Sequence, residues 1–406
     1  MKLIKISSAQ FAELCDGRCV RKKRVSETVK SIIENVRNYG DQAVIKYTKR
    51  FDDVKLTTKN LKVSDSEKSA AYQDIKPDFV NMLKTAIENI TNFYKKQLRK
   101  SWKIKAEEGV MLGEMFRPIE TVGVYVPSGT APLVSSVYMS VVPAMMAGVK
   151  KIYMVTPPNK YGMVNPNILV VADLLKVDAI YKVGGAQAIA ALAFGTKSIP
   201  KVDKIVGPGN IYVTEAKRQV FGYVDIDMLA GPSEVVVIAN RMTNPKYVIA
   251  DLQAQSEHNM GLSILVTNSK KFAKSIKDKV DRGYIILVND FDEACEVVNA
   301  LAPEHLEILI SNPRKLLKKI TNAGAIFLGD YSPTAVGDYI AGPSHVLPTG
   351  GTARFFSGLG IRDFVKSSHI LQYSKKALEK VKAPIEQLCA IEGMGKHFES
   401  IKARFE

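Results

Sequence analysis

Five histidines stand in the sequence, at 258, 305, 345, 369 and 397, and all but His369 sit in dense polar or Gly/Pro contexts. In TNPKYVIADLQAQSEHN, Thr243 or Asn244 can cap a helix with Pro245 at its first position. Gln255 and His258 then fall three apart, on one helix face. A neutral imidazole near an amide or carboxylate oxygen suits a borderline ion such as Zn²⁺. The same stretch also reads as a surface helix end with a hydrogen-bonded His. In LAPEHLEI, Glu304 and His305 are adjacent and cannot share a helix face, but both can enter a pocket from a turn or from a helix start, which Pro303 fits. Such a pair can divide general acid and base work; the alternative is an acidic helix N-terminus with an incidental His. In SPTAVGDYIAGPSHVLPTGGTAR, Asp338 and His345 flank Gly342 and Pro343. They are candidate ligands or proton carriers, or else Asp338 makes an Asx-type turn in a structural loop. Glu392 and His397 are joined through Gly393 and Gly395, which leave the backbone free between two chemical side chains; alone this signal is weak.

Two glycine loops come next. VGGAQAIAALAFG places Gly184 and Gly185 between a strand and a helix, and VGPGNIYVTEAKR does the same with Gly207 and Gly209. A helix N-terminus approached through glycine suits an anion. Neither loop is a GxGxxG fingerprint, since Tyr212 holds the sixth position of GPGNIY. Ser233, just ahead of the strand-like EVVVIA, lacks the strand–turn–helix setting of a nucleophile elbow and reads as a binding hydroxyl. No cysteine falls in any of these clusters, which disfavours a thiolate nucleophile. Metal plus His/Glu acid–base chemistry is what the residues support, and both hydrolysis and oxidation stay open.

These side chains need a scaffold. The first hundred residues read as helical: Val29, Ile32, Ile33 and Val36 recur at helical spacing, Gly40–Asp41 is a stop followed by a start, and 77–101 repeats the pattern. From about 118, β-branched runs alternate with Gly/Pro turns and Ala-rich helical patterns. The runs are Val122–Val126, Ile152–Thr156, Ala179–Val183, Lys204–Val206, Glu234–Ala239, Ser263–Thr267, Tyr284–Val288 and Ala325–Leu328, with helices over Ala186–Phe194 and Pro245–Glu257 among those between. The alternation predicts an α/β architecture with mainly parallel sheets in more than one unit, returning to charged helix after about 370.

With 406 residues the chain exceeds one ordinary core, and 46% hydrophobic with 24% charged residues is a globular composition. A net charge of +16 suggests an anionic macromolecule until it is mapped. It divides as +10 over residues 1–100, +2 over 101–350 and +4 over 351–406, so the chemistry-bearing middle is nearly neutral. Lysine-rich helix faces then read as solvated surface rather than as a nucleic-acid site. No secretory signal and no membrane span are expected. Cys15, Cys19, Cys295 and Cys389 make no metal pattern beyond one CxxxC pair, and a reduced, cytoplasmic chain fits best.

Together the clusters closely resemble histidinol dehydrogenases. The stretches that carry the likeness are GVYVPSGTAP, VGGAQAIAALAFGT, GPGNIYVTEAKRQV, DIDMLAGPSEVVVIA, DLQAQSEH, APEHLE, SPTAVGDYIAGPSHVLPT, GLGIRDF and EGMGKH, in the family's order, with RNYGDQAVIKYTKRFD matching its N-terminal region. The resemblance implies oxidation of L-histidinol to L-histidine through the aldehyde, reducing two NAD⁺, with one zinc per active site. It implies Gln255, His258, Asp338 and His397 as zinc ligands and Glu304 and His305 as catalytic acid–base residues. It places Ser233, Gln255, His258, His305, Asp338, His345, Glu392 and His397 against substrate, and Tyr125, Gln187 and Asn210 against NAD. The implied fold is two incomplete Rossmann-like units with small helical terminal elements, in an intertwined homodimer. The implied boundaries are an N-terminal segment 1–20, a catalytic zinc domain from 21–132 and 236–370, an NAD-side domain 133–235, and a helical element 371–406 whose Glu392 and His397 complete the partner's site.

Departures from the family pattern are Ser344 where Asn is usual, Asn259 where Asp follows the ligand His, and Ser128 where Gly is common. None removes a ligand or the Glu/His pair. Other readings are a zinc/NAD dehydrogenase of another amino or sulfo alcohol on the same scaffold, a metal-dependent hydrolase, and a basic binding protein. Glu392, suited to a substrate ammonium, speaks against an anionic substrate.

Overall fold

The computed structural model describes residues 1–16, 23–128, 131–258 and 260–406; Cys19 and Asn259 lie outside the described residues. In chain order the strands are β1 (Lys2–Ile4), β2 (Trp102–Glu107), β3 (Val110–Pro118), β4 (Thr121–Tyr125), β5 (Lys151–Thr156), β6 (Ala179–Lys182), β7 (Lys204–Val206), β8 (Asp225–Ile226), β9 (Glu234–Ala239), β10 (Leu262–Thr267), β11 (Tyr284–Leu287), β12 (His305–Leu309), β13 (Ala325–Leu328) and β14 (Val365–Tyr373). The chain divides into two compact units, Met1–Gln97 with Ile119–Phe364, and Leu98–Pro118 with Val365–Glu406.

The larger unit holds two parallel sheets. One has the order β6-β5-β4-β7-β8 and the other β1-β11-β10-β9-β12-β13. Every residue of β9 is buried, and Val235 and Val237 face one apolar cluster while Val236 and Ile238 face another. A parallel strand covered on both faces reads as such a continuous apolar run, each buried Val or Ile contributing roughly 1.5–3 kcal/mol. On the five-stranded sheet, the Ala-rich helix Gly185–Phe194 is buried from Ala186 to Ala193. It shares a core with Val29, Ile32, Ile33 and Val36 of the helix Lys23–Tyr39. Gly40, at φ +52°, lets the chain turn from that helix straight into the helix Asp41–Asp52.

All eight expected runs are strands, and Asn244 caps the helix Pro245–Ala254 with its side chain. Three expectations need correction. The helical pattern over 77–101 ends at Tyr94, and after one 3₁₀ turn the chain enters β2. Residues after 370 do not turn helical at once, because β14 runs to Tyr373 before the helices Lys375–Lys380, Lys382–Ile391 and Gly395–Lys402. Glu304–His305 do not open a helix: His305 begins β12, which lies between β9 and β13.

The smaller unit is built on the antiparallel sheet β14-β3-β2, in which Val365 pairs with Pro118 and Tyr373 with Val110. His369 is exposed on β14, opposite Glu114. Among the described residues no helix is long and apolar enough to cross a membrane.

Candidate active site

The strand order reverses at two places, and the candidate residues use opposite ends of them. In the five-stranded sheet β5 and β6 extend to one side of β4, β7 and β8 to the other. Ligands bind outside the carboxyl ends of such strands. Tyr125 ends β4, Gly184–Gln187 follow β6, and Gly207–Asn210 follow β7. In the six-stranded sheet Ser233 precedes β9 and Glu304–His305 open β12, so this cluster sits at the amino ends.

The second cluster is densely wired. Glu304 and His305 are buried, at 6% and 4% exposure. The backbone N–H of Glu234 donates to Glu304 Oε2 (3.0 Å), and the N–H of Glu304 donates to Glu234 Oε1 (3.2 Å). His305 Nδ1 lies 3.1 Å from the Glu234 carbonyl oxygen. A ring nitrogen facing a carbonyl carries the proton, so in the neutral ring Nε2 is the free base. Nε2 is buried, with no hydrogen-bond partner among the described residues, and stands 3.5 Å from Asp338 Oδ1. Burial pushes the His305 pKa down, but Glu304 and Asp338 outweigh it and bring it up to about 9. Glu304, in turn, is pushed up by burial against the pull of His305. Burial also opposes the charge on Asp338, yet the His305 ring, aided by His345 and His258, holds its carboxyl below the usual range.

Gln255 is buried and His258 exposed. The helix ends at Ala254, a 3₁₀ turn takes in Gln255–Glu257, and His258 is extended. The expected shared helix face is therefore replaced by a helix end that unwinds between the two side chains. Gln255 Nε2 donates to Ser233 Oγ at 3.0 Å, which leaves the amide oxygen available as a ligand. Ser233 also hydrogen-bonds Glu304. Asp338 sits on the short helix Thr334–Tyr339 rather than in an Asx turn. His345 sets Nδ1 2.9 Å from the Asp338 backbone oxygen and Nε2 3.4 Å from Ser136 Oγ, and desolvation pushes its pKa down. Ser344, beside it, accepts from the Val346 N–H at 3.2 Å and donates its own N–H to Tyr94 Oη at 2.9 Å.

The structure thus brings Ser233, Gln255, Glu304, His305, Asp338 and His345 together, with His258 in electrostatic reach. Glu392 and His397 belong to the smaller unit, both exposed: Glu392 ends the helix Lys382–Ile391 and His397 lies on Gly395–Lys402. Among the described residues no three His, Cys, Asp or Glu side chains converge into a metal site. An amide oxygen, an imidazole and a carboxylate from the larger unit are nevertheless a set that borderline zinc accepts, with a fourth donor needed from elsewhere.

At the carboxyl ends of the five-stranded sheet, Gly185 N–H donates to Tyr125 Oη at 3.1 Å, and burial pushes the Tyr125 pKa up to about 12. Gln187 is 1% exposed, and neither its amide oxygen nor its nitrogen has a hydrogen-bond partner among the described residues. Buried amides are normally satisfied, so this one fits a polar ligand at the glycine turn. Asn210 spends its oxygen capping its own helix, accepting from Tyr212 and Val213 N–H at 3.0 and 3.1 Å.

Comparison with known proteins gives the family. The histidinol dehydrogenase family profile matches residues 18–405. The chain belongs to the histidinol dehydrogenase family. It is 51% identical to the histidinol dehydrogenase of Clostridium acetobutylicum, over 98% of this chain and 96% of that one. It is 46% identical to that of Lactococcus lactis, over 98% and 97%. The crystal structure of histidinol dehydrogenase from Elizabethkingia anophelis superposes with a TM-score of 0.93 at 36% identity, covering 100% of this chain and 98% of that one. Membership makes the chain an oxidoreductase. Sequence reasoning missed Glu234, which holds both Glu304 and His305; its only signal was a carboxylate at the start of an otherwise apolar strand.

Proposed function

We propose that this chain oxidises L-histidinol through the aldehyde to L-histidine, using two NAD⁺ and one zinc per site, as the last step of histidine biosynthesis in the cytoplasm. The observation that carries the reading is the Glu304–His305–Asp338 cluster beside Gln255, a buried base next to metal-type donors, in a chain of this family. Gln255 through its amide oxygen, His258, Asp338 and His397 would hold zinc, and Tyr125, Gln187 and Asn210 would contact NAD⁺. Bound zinc supplies a Lewis acid for the substrate's amine and imidazole, and NAD⁺ supplies the hydride acceptor.

The chain's own residues do the proton work. With Nδ1–H fixed by the Glu234 carbonyl, His305 receives the carbinol proton at Nε2. Its affinity for that proton depends on Asp338. Were Asp338 to hold the zinc, its carboxylate would support the imidazolium less, and the ring would be available as a neutral base. Glu304, with its proton affinity raised by burial, suits deprotonation of the water that attacks the aldehyde. Base catalysis of this kind contributes about 10²–10⁴-fold. Ser233 orients Gln255 and Glu304 together, and His345 with Glu392 would contact substrate.

The domain reading stays as proposed from the sequence: segment 1–20, a catalytic domain from 21–132 with 236–370, an NAD-side domain 133–235, and 371–406 reaching a partner copy in a homodimer, so that Glu392 and His397 arrive in trans. Product analysis tests the reaction: two NADH should form per L-histidine, and any other stoichiometry or product rejects it.

A further inference from the structure

One buried carboxyl takes no part in the steps above. Glu307 is fully buried on β12, two residues beyond His305. Side chains two apart on a strand share a face. Leu309, on that face too, packs with Val248 and Leu252 of the helix Pro245–Ala254. Glu307 Oε1 accepts the Thr334 N–H at 2.8 Å, at the start of the helix that carries Asp338. Glu307 Oε2 is buried, and among the described residues no group donates a hydrogen bond to it. What it meets is the Asp251 carboxyl, in hydrogen-bonding contact, from the helix that leads into Gln255. Two carboxylates cannot make that contact without a proton between them.

We propose that Asp251 and Glu307 share one proton, and that this pair is a positioning device pinning the Gln255-bearing and Asp338-bearing helices to the strand that carries His305. The positioning role rests on the functional reading given above for those three residues, whereas the shared proton rests on the contact alone. The groups facing Glu307 are Asp251 from one helix, the Thr334 amide from another, and His305 on its own strand. Burial, then the Asp251 charge, pushes Glu307 up to about 8, and burial pushes Asp251 up as well. An acid whose folded pKa is raised binds more protons in the native state. Its stabilising proton is therefore lost as pH rises from the unfolded value towards about 8. Above that, two buried carboxylates repel each other and loosen the helix that ends at Gln255.

Glu307→Gln tests this in the zinc-loaded enzyme. A glutamine keeps the acceptor for Thr334, offers an N–H to Asp251, and does not titrate. The melting temperature of the variant minus that of the native protein should grow from about pH 5 to about 8 and then level off; parallel curves would overturn the shared proton. With L-histidinol and NAD⁺, the native kcat should fall through about pH 8. In Glu307→Gln that fall should be absent, and Glu307→Leu should lose about tenfold in kcat with KM for NAD⁺ unchanged. Superimposable kcat profiles of native and Glu307→Gln enzymes would overturn the positioning role. A pH-dependent melting difference in a protein that never turns histidinol over would support the shared proton and reject the reaction instead.

Discussion

Glu304 and Glu234 each accept the other's backbone N–H, at 3.0 and 3.2 Å, so the Glu304 carboxyl is aimed by the Glu234 amide while the Glu234 carboxyl anchors the Glu304 backbone from one strand away. Removing that partner leaves the buried Glu304 N–H without an acceptor. Glu234→Ala should cost about 1–3 kcal/mol of stability in denaturant unfolding. It should also lower kcat more than it raises KM. Glu234→Gln, which keeps an oxygen for the Glu304 N–H, should recover most of the stability. Equal stability of the alanine variant and the native protein would contradict the assignment.

His258 is exposed, and it helps hold the Asp338 carboxyl below its usual pKa range. His258→Ala should bind zinc weakly, and metal analysis after dialysis should show a clear loss from one zinc per chain. Stoichiometric zinc would remove His258 from the ligand set.

Gly207 is held at φ +113°, and a Cβ there would lie 2.1 Å from the Tyr125 carbonyl oxygen. Its N–H donates to Asp227 Oδ2 at 2.7 Å, and buried Lys217 donates to its carbonyl at 2.9 Å while pairing with Asp227. Gly207→Ala should therefore cost about 1–3 kcal/mol and raise KM for NAD⁺, with zinc content unchanged. Unaltered NAD⁺ kinetics would separate this loop from the proposed nucleotide site.

Glu215 gives a pH test away from the chemistry. Its hydrogen bonds from Arg218 first, opposed by burial and aided by Gln219, bring its pKa down to about 2. A depressed carboxylate stabilises the fold above its unfolded pKa, and that contribution disappears as pH falls towards about 2. Glu215→Gln should be less stable by about 1–2 kcal/mol at pH 7, with the difference closing in acid. A pH-independent difference would show that the loss is one of packing.

The parallel sheets were legible because their strands are short β-branched runs between Gly and Pro, each carrying its own signal. β12 was not, since HLEIL follows Pro303 and carries two polar side chains; it is a strand because β9 and β13 pair with it on either side. The antiparallel sheet was hidden for a different reason: β14 meets β3 across some 250 residues, and β2 is exposed along its whole length. In the site, Gln255, Glu304, His305 and Asp338 were visible as residue types at suggestive spacings. Glu234, Asp251 and Glu307 were not, because a carboxyl on an apolar strand or helix acquires its meaning only from what it faces.

The most direct test compares NADH formation from L-histidinol by the zinc-loaded native protein and by His305→Asn. The native protein should produce NADH, and the variant should keep its zinc while losing about 10²–10⁴-fold in turnover. No NADH from the native protein, or an undiminished rate in the variant, would contradict a histidinol oxidation in which His305 is the base.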